Sequence, residues 1–216
     1  MTVSCAIFDC DGTLVDSERL AMSLLVEMAA ERGVRLSLPE TTHEFAGVRL
    51  HIVVERLQSR SGVTLPEHFI EDYRRRLRAR LSSELQAMPH IHDALENLNL
   101  PLCIASNAPL DKIQLCLSST GLAPFFGDRI YSAYEIGSWK PEPGLFLAAA
   151  RGMGYPPWEC VVIEDSLPGL RAARDAGMQV IAYRRNDTSS SGSLSIQSHG
   201  ELLGAIAQLD LKQSTR

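Results

Sequence analysis

Hydrophobic and polar positions change their spacing along the chain, and each spacing predicts a different kind of structure. A short apolar run from Val3 to Phe8 leads into polar residues and Gly12, which predicts a buried strand that ends in a loop. From Ser17 to Leu85 the apolar residues recur at helical spacing, broken by glycine and proline, which predicts helices and no strand. A helical insertion therefore separates the first strand from the rest of the chain.

After Pro89, short apolar runs alternate with helical patterns. The predicted strands are Leu102–Ala105, Arg129–Tyr131, Cys160–Ile163 and Gln179–Tyr183. The predicted helices are Leu110–Ser119, Pro143–Gly152, Pro168–Ala176 and Leu202–Leu209, with a loop over Asn186–Ser198 and a frayed tail from Lys212 to Arg216. Such alternation is typical of a parallel sheet covered by helices. We expect an α/β, Rossmann-like core from residues 1–14 and 86–216, with an all-helical cap domain inserted over residues 15–85.

Composition and charge narrow the classes of protein to consider. Hydrophobic residues make up 45% of the chain and charged residues 22%, as in ordinary globular proteins. The net charge of -5 disfavours general binding to nucleic acid or to an anionic membrane. The N-terminus lacks the basic segment of a secretory signal, and the five cysteines suit reduced core thiols. We expect a cytoplasmic protein, with a monomer favoured.

Chemically active side chains follow the predicted strands at the points where the strands end. They are Asp9, Asp11, Gly12 and Thr13 after the first strand, Ser106 and Asn107 after the second, Glu164 and Asp165 after the strand near Cys160, and Lys140 before a helix. Ligands of parallel α/β sheets bind at the carboxyl ends of the strands, so we expect these residues to meet at one edge.

The spacing of the acidic residues points to phosphate chemistry with a metal ion. Side chains two residues apart in an extended segment share a face, so Asp9 and Asp11 can approach one substrate. A cluster of carboxylates is costly unless a cation neutralises it, and oxygen ligands near phosphate favour Mg2+. Lys140 adds a second positive charge, and the hydroxyl of Ser106 can bind phosphate oxygens.

Four segments, in this order, resemble the motifs of the haloacid dehalogenase-like phosphatases. They are the run from Asp9 to Glu18, then Ser106-Asn107, Lys140-Pro141 and Glu164-Asp165-Ser166. The resemblance implies that Asp9 is the nucleophile that forms an aspartyl phosphate, while Asp11 protonates the leaving alcohol and then activates water. It implies that Lys140 and Ser106 stabilise the phosphoryl oxygens.

The same resemblance implies two binding sets and a role for the insertion. The implied substrate contacts are Gly12, Thr13, Asn107 and Arg49, and the implied Mg2+ ligands are Asp9, the backbone carbonyl of Asp11, Asp165 and Glu164. The helical insertion resembles the family's cap, which excludes water and selects the substrate.

Within this family the chain is similar to the β-phosphoglucomutase-like phosphatases. The segments Phe45–Leu50, Ser83–Leu85 and Trp139–Pro141 resemble bacterial 6-phosphogluconate phosphatases, and Arg49 suits an acidic sugar phosphate. The expected function is Mg-dependent hydrolysis of a small phosphorylated metabolite, a sugar phosphate such as 6-phosphogluconate.

Two alternative functions stay open, and two other reactions are disfavoured. A phosphomutase of the β-phosphoglucomutase type is the first alternative, although Ala21 stands where those mutases carry histidine. Asp11 disfavours a metal-free dehalogenase, and the absence of lysine from Ser17 to Leu85 disfavours a phosphonatase. A metabolite-binding protein without activity is the alternative of another class.

Overall fold

The structure, a computed structural model, describes residues 2–45, 48, 50–184 and 194–214, with side chains described as far as residue 211. The chain forms two compact units. One is Met1–Val15 together with Gln86–Arg216, and the other is Asp16–Leu85. The first is an α/β unit, and the described part of the second is purely helical.

The α/β unit is built around a six-stranded sheet in which every neighbouring pair is parallel. Its strands are β1 (Cys5–Phe8), β2 (Leu102–Ser106), β3 (Ile130–Ser132), β4 (Cys160–Glu164), β5 (Gln179–Tyr183) and β6 (Leu194–Ile196). Their order is β3-β2-β1-β4-β5-β6, which places the first strand of the chain at the centre. The predicted α/β class with a parallel sheet is confirmed.

The central strands are apolar except at the ends of β2 and β4, where Ser106 and Glu164 stand, because helices cover both faces of a parallel sheet. Every residue of β1, β2 and β4 is buried. In register, Phe8 at the end of β1 lies between Ile104 and Ile163, so the three strands end close together. All five cysteines are buried free thiols, as predicted.

The described residues of the helical unit form four helices around their own apolar core. They are α1 (Ser17–Ala30), α2 (Leu38–Phe45), α3 (Leu50–Ser61) and α4 (Phe69–Glu84). Leu24, Phe45, Leu57 and Phe69 lie in that core, each from a different helix. The helical spacing of these apolar positions is what the sequence pattern predicted.

In the part of the chain that the structure describes, seven further helices belong to the α/β unit. They are α5 (Ile91–Asn97), α6 (Leu110–Ser119), α7 (Ala123–Phe126), α8 (Ala133–Ile136), α9 (Gly144–Met153), α10 (Leu167–Asp175) and α11 (Leu202–Ser214). Turns of 3-10 helix occur at Pro157–Glu159 and His199–Glu201. Among the described residues, no helix is both long and apolar enough to cross a membrane.

Two sequence predictions about the end of the chain are wrong in part. The loop predicted over Asn186–Ser198 contains β6, where Leu194 pairs with Ile181 of β5. A three-residue strand is too short to show an alternating pattern, and only its pairing with β5 creates it. The predicted frayed tail is helical as far as Ser214, and its last two residues lie outside the described part.

Candidate active site

The loop after β1 carries two of the predicted acids around a sharp turn. The backbone N–H of Asp9 still donates to the carbonyl of Ile163 over 3.0 Å, so this residue continues the sheet. Gly12 follows with φ of +86°, and a β-carbon there would overlap the carboxylate of Asp165. Glycine is therefore required at position 12 for two reasons, the backbone conformation and the close approach of Asp165.

Lys140 joins the ends of two strands through its ammonium group. Its Nζ donates to Oδ1 of Asp9 and, over 2.7 Å, to Oε2 of Glu164. The three residues are 7%, 6% and 1% exposed, so the ion pairs are shielded from water. Nζ also lies 4.9 Å from the centre of the Phe146 ring, whose face favours a cation. A lysine and a carboxylate 131 residues apart thus meet in the core.

The second oxygen of Glu164 is held by the start of α10. Glu164 Oε1 accepts from the backbone N–H of Ser166 over 3.0 Å and from its hydroxyl over 2.8 Å. The Ser166 hydroxyl in turn accepts from the N–H of Gly169 and caps the helix. A β-carbon at Gly169 would overlap the Glu164 carboxylate, so this glycine makes room for it.

Burial and neighbouring charge displace the pKa values of this group. Burial, together with the charge of Glu164, raises the pKa of Asp9 to about 7, against the opposing effect of Lys140. Burial alone lowers the pKa of Lys140, but the two carboxylates outweigh it and raise that pKa well above its usual range. The lysine therefore stays charged, and the cluster would gain from a further cation.

Three carboxylates form a set of oxygen donors suited to a metal ion. Asp9, Glu164 and Asp165 each offer an oxygen, and these atoms lie within 4.8 Å of one another. Asp165 Oδ1 accepts from the hydroxyl of Thr13 over 3.1 Å, which orients that acid. Carboxylate oxygens at this spacing fit a hard divalent cation such as Mg2+, and the charge of Lys140 does not balance three acids.

Ser106 and Asn107 occupy the end of β2 beside Lys140. The buried Ser106 hydroxyl accepts from the N–H of Ala108 over 3.1 Å. The Asn107 side chain clamps the backbone of Lys140, accepting from its N–H over 2.9 Å and donating to its carbonyl over 3.2 Å. The side chain predicted to touch substrate is thus used to position Lys140.

Lys112 is a functional candidate that the sequence reasoning missed. Its Nζ donates to both carboxylate oxygens of Asp11, each over 2.8 Å. Burial lowers the pKa of Lys112, but the charge and hydrogen bonds of Asp11 outweigh it and raise that pKa above its ordinary value. The sequence offered one sign of this residue. Lys112 is one of three lysines in the chain, and it lies five residues after Asn107, in the first turn of α6.

His199 also reaches the loop after β1, through the backbone of Thr13. Its ring is fully buried, stacks on Tyr183 with centroids 4.4 Å apart, and donates from Nε2 to the carbonyl of Thr13 over 2.7 Å. Nδ1 has no partner among the described residues. No pattern in the sequence pairs this histidine with Thr13, because 186 residues separate them.

The structure thus gathers most of the predicted residues at one edge of the sheet. Asp9, Glu164 and Lys140 are in direct contact, Thr13 binds Asp165, and Asn107 holds Lys140. Arg49 lies outside the described residues, so its predicted substrate contact stays a prediction. Trp139, next to Lys140, is 43% exposed and packs edge to face with Tyr134 at 5.6 Å.

Comparison with known sequences agrees with the motifs. The pattern of the haloacid dehalogenase-like hydrolases matches residues 3–177. The 6-phosphogluconate phosphatase of Escherichia coli is 35% identical over 182 residues, which cover 84% of this chain and 82% of that protein. The resemblance predicted from the sequence is confirmed, as is the prediction of an enzyme of the phosphatase class.

Comparison with solved structures supports the same fold. A haloacid dehalogenase-like protein of Agrobacterium tumefaciens superposes with a TM-score of 0.85 at 32% identity, covering 95% of this chain and 98% of its own. A hydrolase of the same family from Deinococcus radiodurans, solved with bound phosphate and sodium, gives 0.84 at 29% identity, covering 96% of each chain.

Proposed function

This chain belongs to the haloacid dehalogenase-like hydrolases, and on that premise we propose that it is a Mg-dependent phosphatase of small sugar phosphates. The reaction passes through a phosphoryl group bound to Asp9. The observation that carries the proposal is the buried contact of Lys140 with Asp9 and Glu164, with Asp165 alongside. No structural requirement of the sheet explains a charged cluster in this place, whereas phosphoryl transfer uses each of its members.

Asp9 is the nucleophile in this proposal. Its carboxylate lies at the end of the central strand, where an approaching phosphate meets an edge of the sheet. One Asp9 oxygen attacks phosphorus as the bond from phosphorus to the leaving oxygen breaks. Lys140 and the hydroxyl of Ser106 balance the charge on the remaining phosphoryl oxygens.

Asp11 transfers the proton in each of the two steps, formation and hydrolysis of the phosphorylated Asp9. It gives a proton to the leaving alcohol and then takes one from the water that hydrolyses the phosphorylated Asp9. The backbone around it is fixed from two sides, by the turn at Gly12 and by the bond from His199 to the Thr13 carbonyl. Asp11 is therefore presented at a constant distance from Asp9, two residues away.

The acidic set is proposed to hold Mg2+. Asp9, Asp165 and the backbone carbonyl of Asp11 are the proposed ligands, and Glu164 is the third carboxylate of the set. Both oxygens of Glu164 already accept hydrogen bonds, from Lys140 and Ser166, so we assign it first to holding that lysine. When bound, Mg2+ neutralises negative charge on the carboxylates and the phosphate.

The substrate is proposed to be a sugar phosphate, and 6-phosphogluconate is the specific candidate. The similarity to the E. coli enzyme named for that compound supports this choice. The helical unit, Asp16–Leu85, is the proposed substrate-selecting cap, with Arg49 as the proposed contact for an acidic group. The cytoplasmic location and the monomeric state stay predictions.

The deciding experiment measures phosphate release from 6-phosphogluconate, neutral sugar phosphates and 4-nitrophenyl phosphate, with Mg2+ and after chelation. We expect release that requires Mg2+ and is abolished in Asp9→Asn. The exposed Asp93→Asn is the matched control and should keep full activity. Mass spectrometry of a quenched reaction should find one phosphoryl group on the peptide that contains Asp9.

Each alternative predicts a different result in the same assay. A phosphomutase would give an isomeric sugar phosphate with little inorganic phosphate. A binding protein without activity would retain a sugar phosphate in equilibrium dialysis and release nothing. Activity in Asp9→Asn equal to that of the unaltered chain would contradict the assignment of the nucleophile.

A further inference from the structure

The pair formed by Lys112 and Asp11 restrains the proposed acid-base residue by its side chain. Two hydrogen bonds of equal length, 2.8 Å, join one ammonium group to both oxygens of one carboxylate. A contact to one oxygen lets a carboxylate swing about that oxygen, whereas contacts to both oxygens keep the whole carboxylate group facing the ammonium group. The side chains are 32% and 25% exposed, so the pair sits at the rim of the site and not in the core.

The position of Lys112 is unfavourable for its own helix. It lies in the first turn of α6, where the backbone N–H groups and the helix dipole carry positive charge. A cation there costs stability, and acidic residues are the usual choice. Since local rules are broken mainly at functional sites, the carboxylate of Asp11 is the reason for this lysine that the structure offers.

We infer that Lys112 is a positioning residue for the acid-base step, because it fixes the orientation of the Asp11 carboxylate through both of its oxygens. The inference rests on the proposed function, in which Asp11 transfers protons. Lys112 acts through Asp11 and is separate from Lys140, which contacts the nucleophile. Removing Lys112 takes away both of these hydrogen bonds to the Asp11 carboxylate.

The leaving group decides how strongly the first step depends on this orientation. As the bond from Asp9 to phosphorus forms, the bond to the leaving oxygen breaks and its electron pair stays on that oxygen. An alkoxide must receive the proton of Asp11, whereas 4-nitrophenolate is stable without one. A defect in positioning Asp11 therefore slows alkyl phosphates more than the aryl phosphate.

The test compares kcat/KM of Lys112→Met for the best alkyl phosphate and for 4-nitrophenyl phosphate. We expect a loss of about 10- to 100-fold for the alkyl substrate and less than about 3-fold for the aryl one. Lys112→Arg, whose guanidinium also binds both oxygens of a carboxylate, should recover most of the loss. Gln114→Met, an exposed change on the same helix, should leave both values unchanged.

Three outcomes separate the inference from the function on which it rests. Equal losses for the two substrates, or no loss for either, would overturn the positioning role while leaving the phosphatase intact. Failure of Lys112→Arg to recover the alkyl reaction would also overturn it, provided that its thermal midpoint matches that of the unaltered chain. No phosphate release by the unaltered chain would overturn the function and the inference together.

Discussion

The two units differ in where they keep their polar and charged side chains. In the α/β unit Asp9, Lys140, Glu164 and His199 are all buried. Among the described residues of the helical unit, the buried polar side chains are Ser17 and Thr41, and no charged side chain is buried.

The helical unit pairs its charges on the surface. Arg76 of α4 and Glu31, which directly follows α1, are 2.6 Å apart with 39% and 46% of their side chains exposed. Arg80 and Glu27 join the same two helices. Such pairs contribute little, because water solvates the separated charges almost as well.

The contrast concerns the cost of burying charged side chains, which the α/β unit does and the described part of the helical unit does not. Taking an ion out of water costs several kcal/mol, and an ion pair seldom recovers more than that cost. A chain that needed only stability would fill the centre of its sheet with apolar side chains. The cluster around Lys140 is therefore better explained by the proposed reaction than by stability, whereas the arginines of α4 lie on a solvated helix face.

The largest effect is expected from Lys140→Met. It leaves Asp9 and Glu164 as buried carboxylates without their cation, so the free energy of unfolding should fall by roughly 3–5 kcal/mol. Loss of the charge that balances the phosphoryl oxygens should lower kcat by about 1,000-fold or more. Urea denaturation and steady-state kinetics measure the two losses.

Mg2+ provides the control for this variant. If Asp9 and Asp165 hold the ion, added Mg2+ should recover part of the lost stability of Lys140→Met, and the same ionic strength of NaCl should not. Equal recovery by the two salts would contradict the proposed metal site, independently of any activity measurement.

A smaller effect, visible only as pH falls, is expected at His199. Burial lowers the pKa of this ring from 6.5 to about 4, with the Thr13 carbonyl opposing the shift and His90 adding to it. The folded state thus binds a proton less readily than the unfolded state. The neutral ring therefore stabilises the folded state in full above pH 6.5, and this contribution is lost as pH falls towards 4. Between pH 7 and pH 5 the loss lowers the free energy of unfolding by about 2 kcal/mol.

The comparison of His199→Gln with the unaltered chain isolates this contribution. The variant should lose less stability than the unaltered chain between pH 7 and pH 5, because it has no ring to protonate. His51→Gln, an exposed histidine of the helical unit, should keep the pH dependence of the unaltered chain. The same slope in His199→Gln would show that the buried ring does not titrate in this range.

The smallest effect is expected from Arg76→Gln. It removes an exposed ion pair of the helical unit, so the denaturation midpoint and kcat should both stay within measurement error. A loss comparable with that of Lys140→Met would contradict the distinction between the two units. Both variants should be measured at low and moderate salt, since only an exposed pair is screened.

Short-range pattern explains what the sequence predicted well. The apolar runs that became β1, β2 and β4 are buried throughout, and β5 is buried over its last three residues, so each run is recognisable without its neighbours. β6 was missed because three residues carry no period, and it exists through its pairing with β5.

The predicted site residues likewise stand in local sequence patterns, whereas the missed ones depend on tertiary contacts. Asp9 and Asp165 were found because they stand in motifs and follow strands whose ends must coincide, and Lys140 was found because it stands in a motif. Lys112 and His199 follow no such rule, and their roles come from the group that each reaches, the carboxylate of Asp11 and the carbonyl of Thr13.

The sequence by itself determined the class of fold, the helical insertion and the residue types of the site, since these depend on spacing and on chemistry local to each segment. Only the tertiary structure decided which groups are joined by hydrogen bonds. Asn107 holds the backbone of Lys140, Lys112 holds the carboxylate of Asp11, and the buried ring of His199 holds the carbonyl of Thr13. Hydrogen bonds act over about 3 Å. A linear pattern does not specify distances that short between residues that lie 33, 101 and 186 positions apart in the three cases.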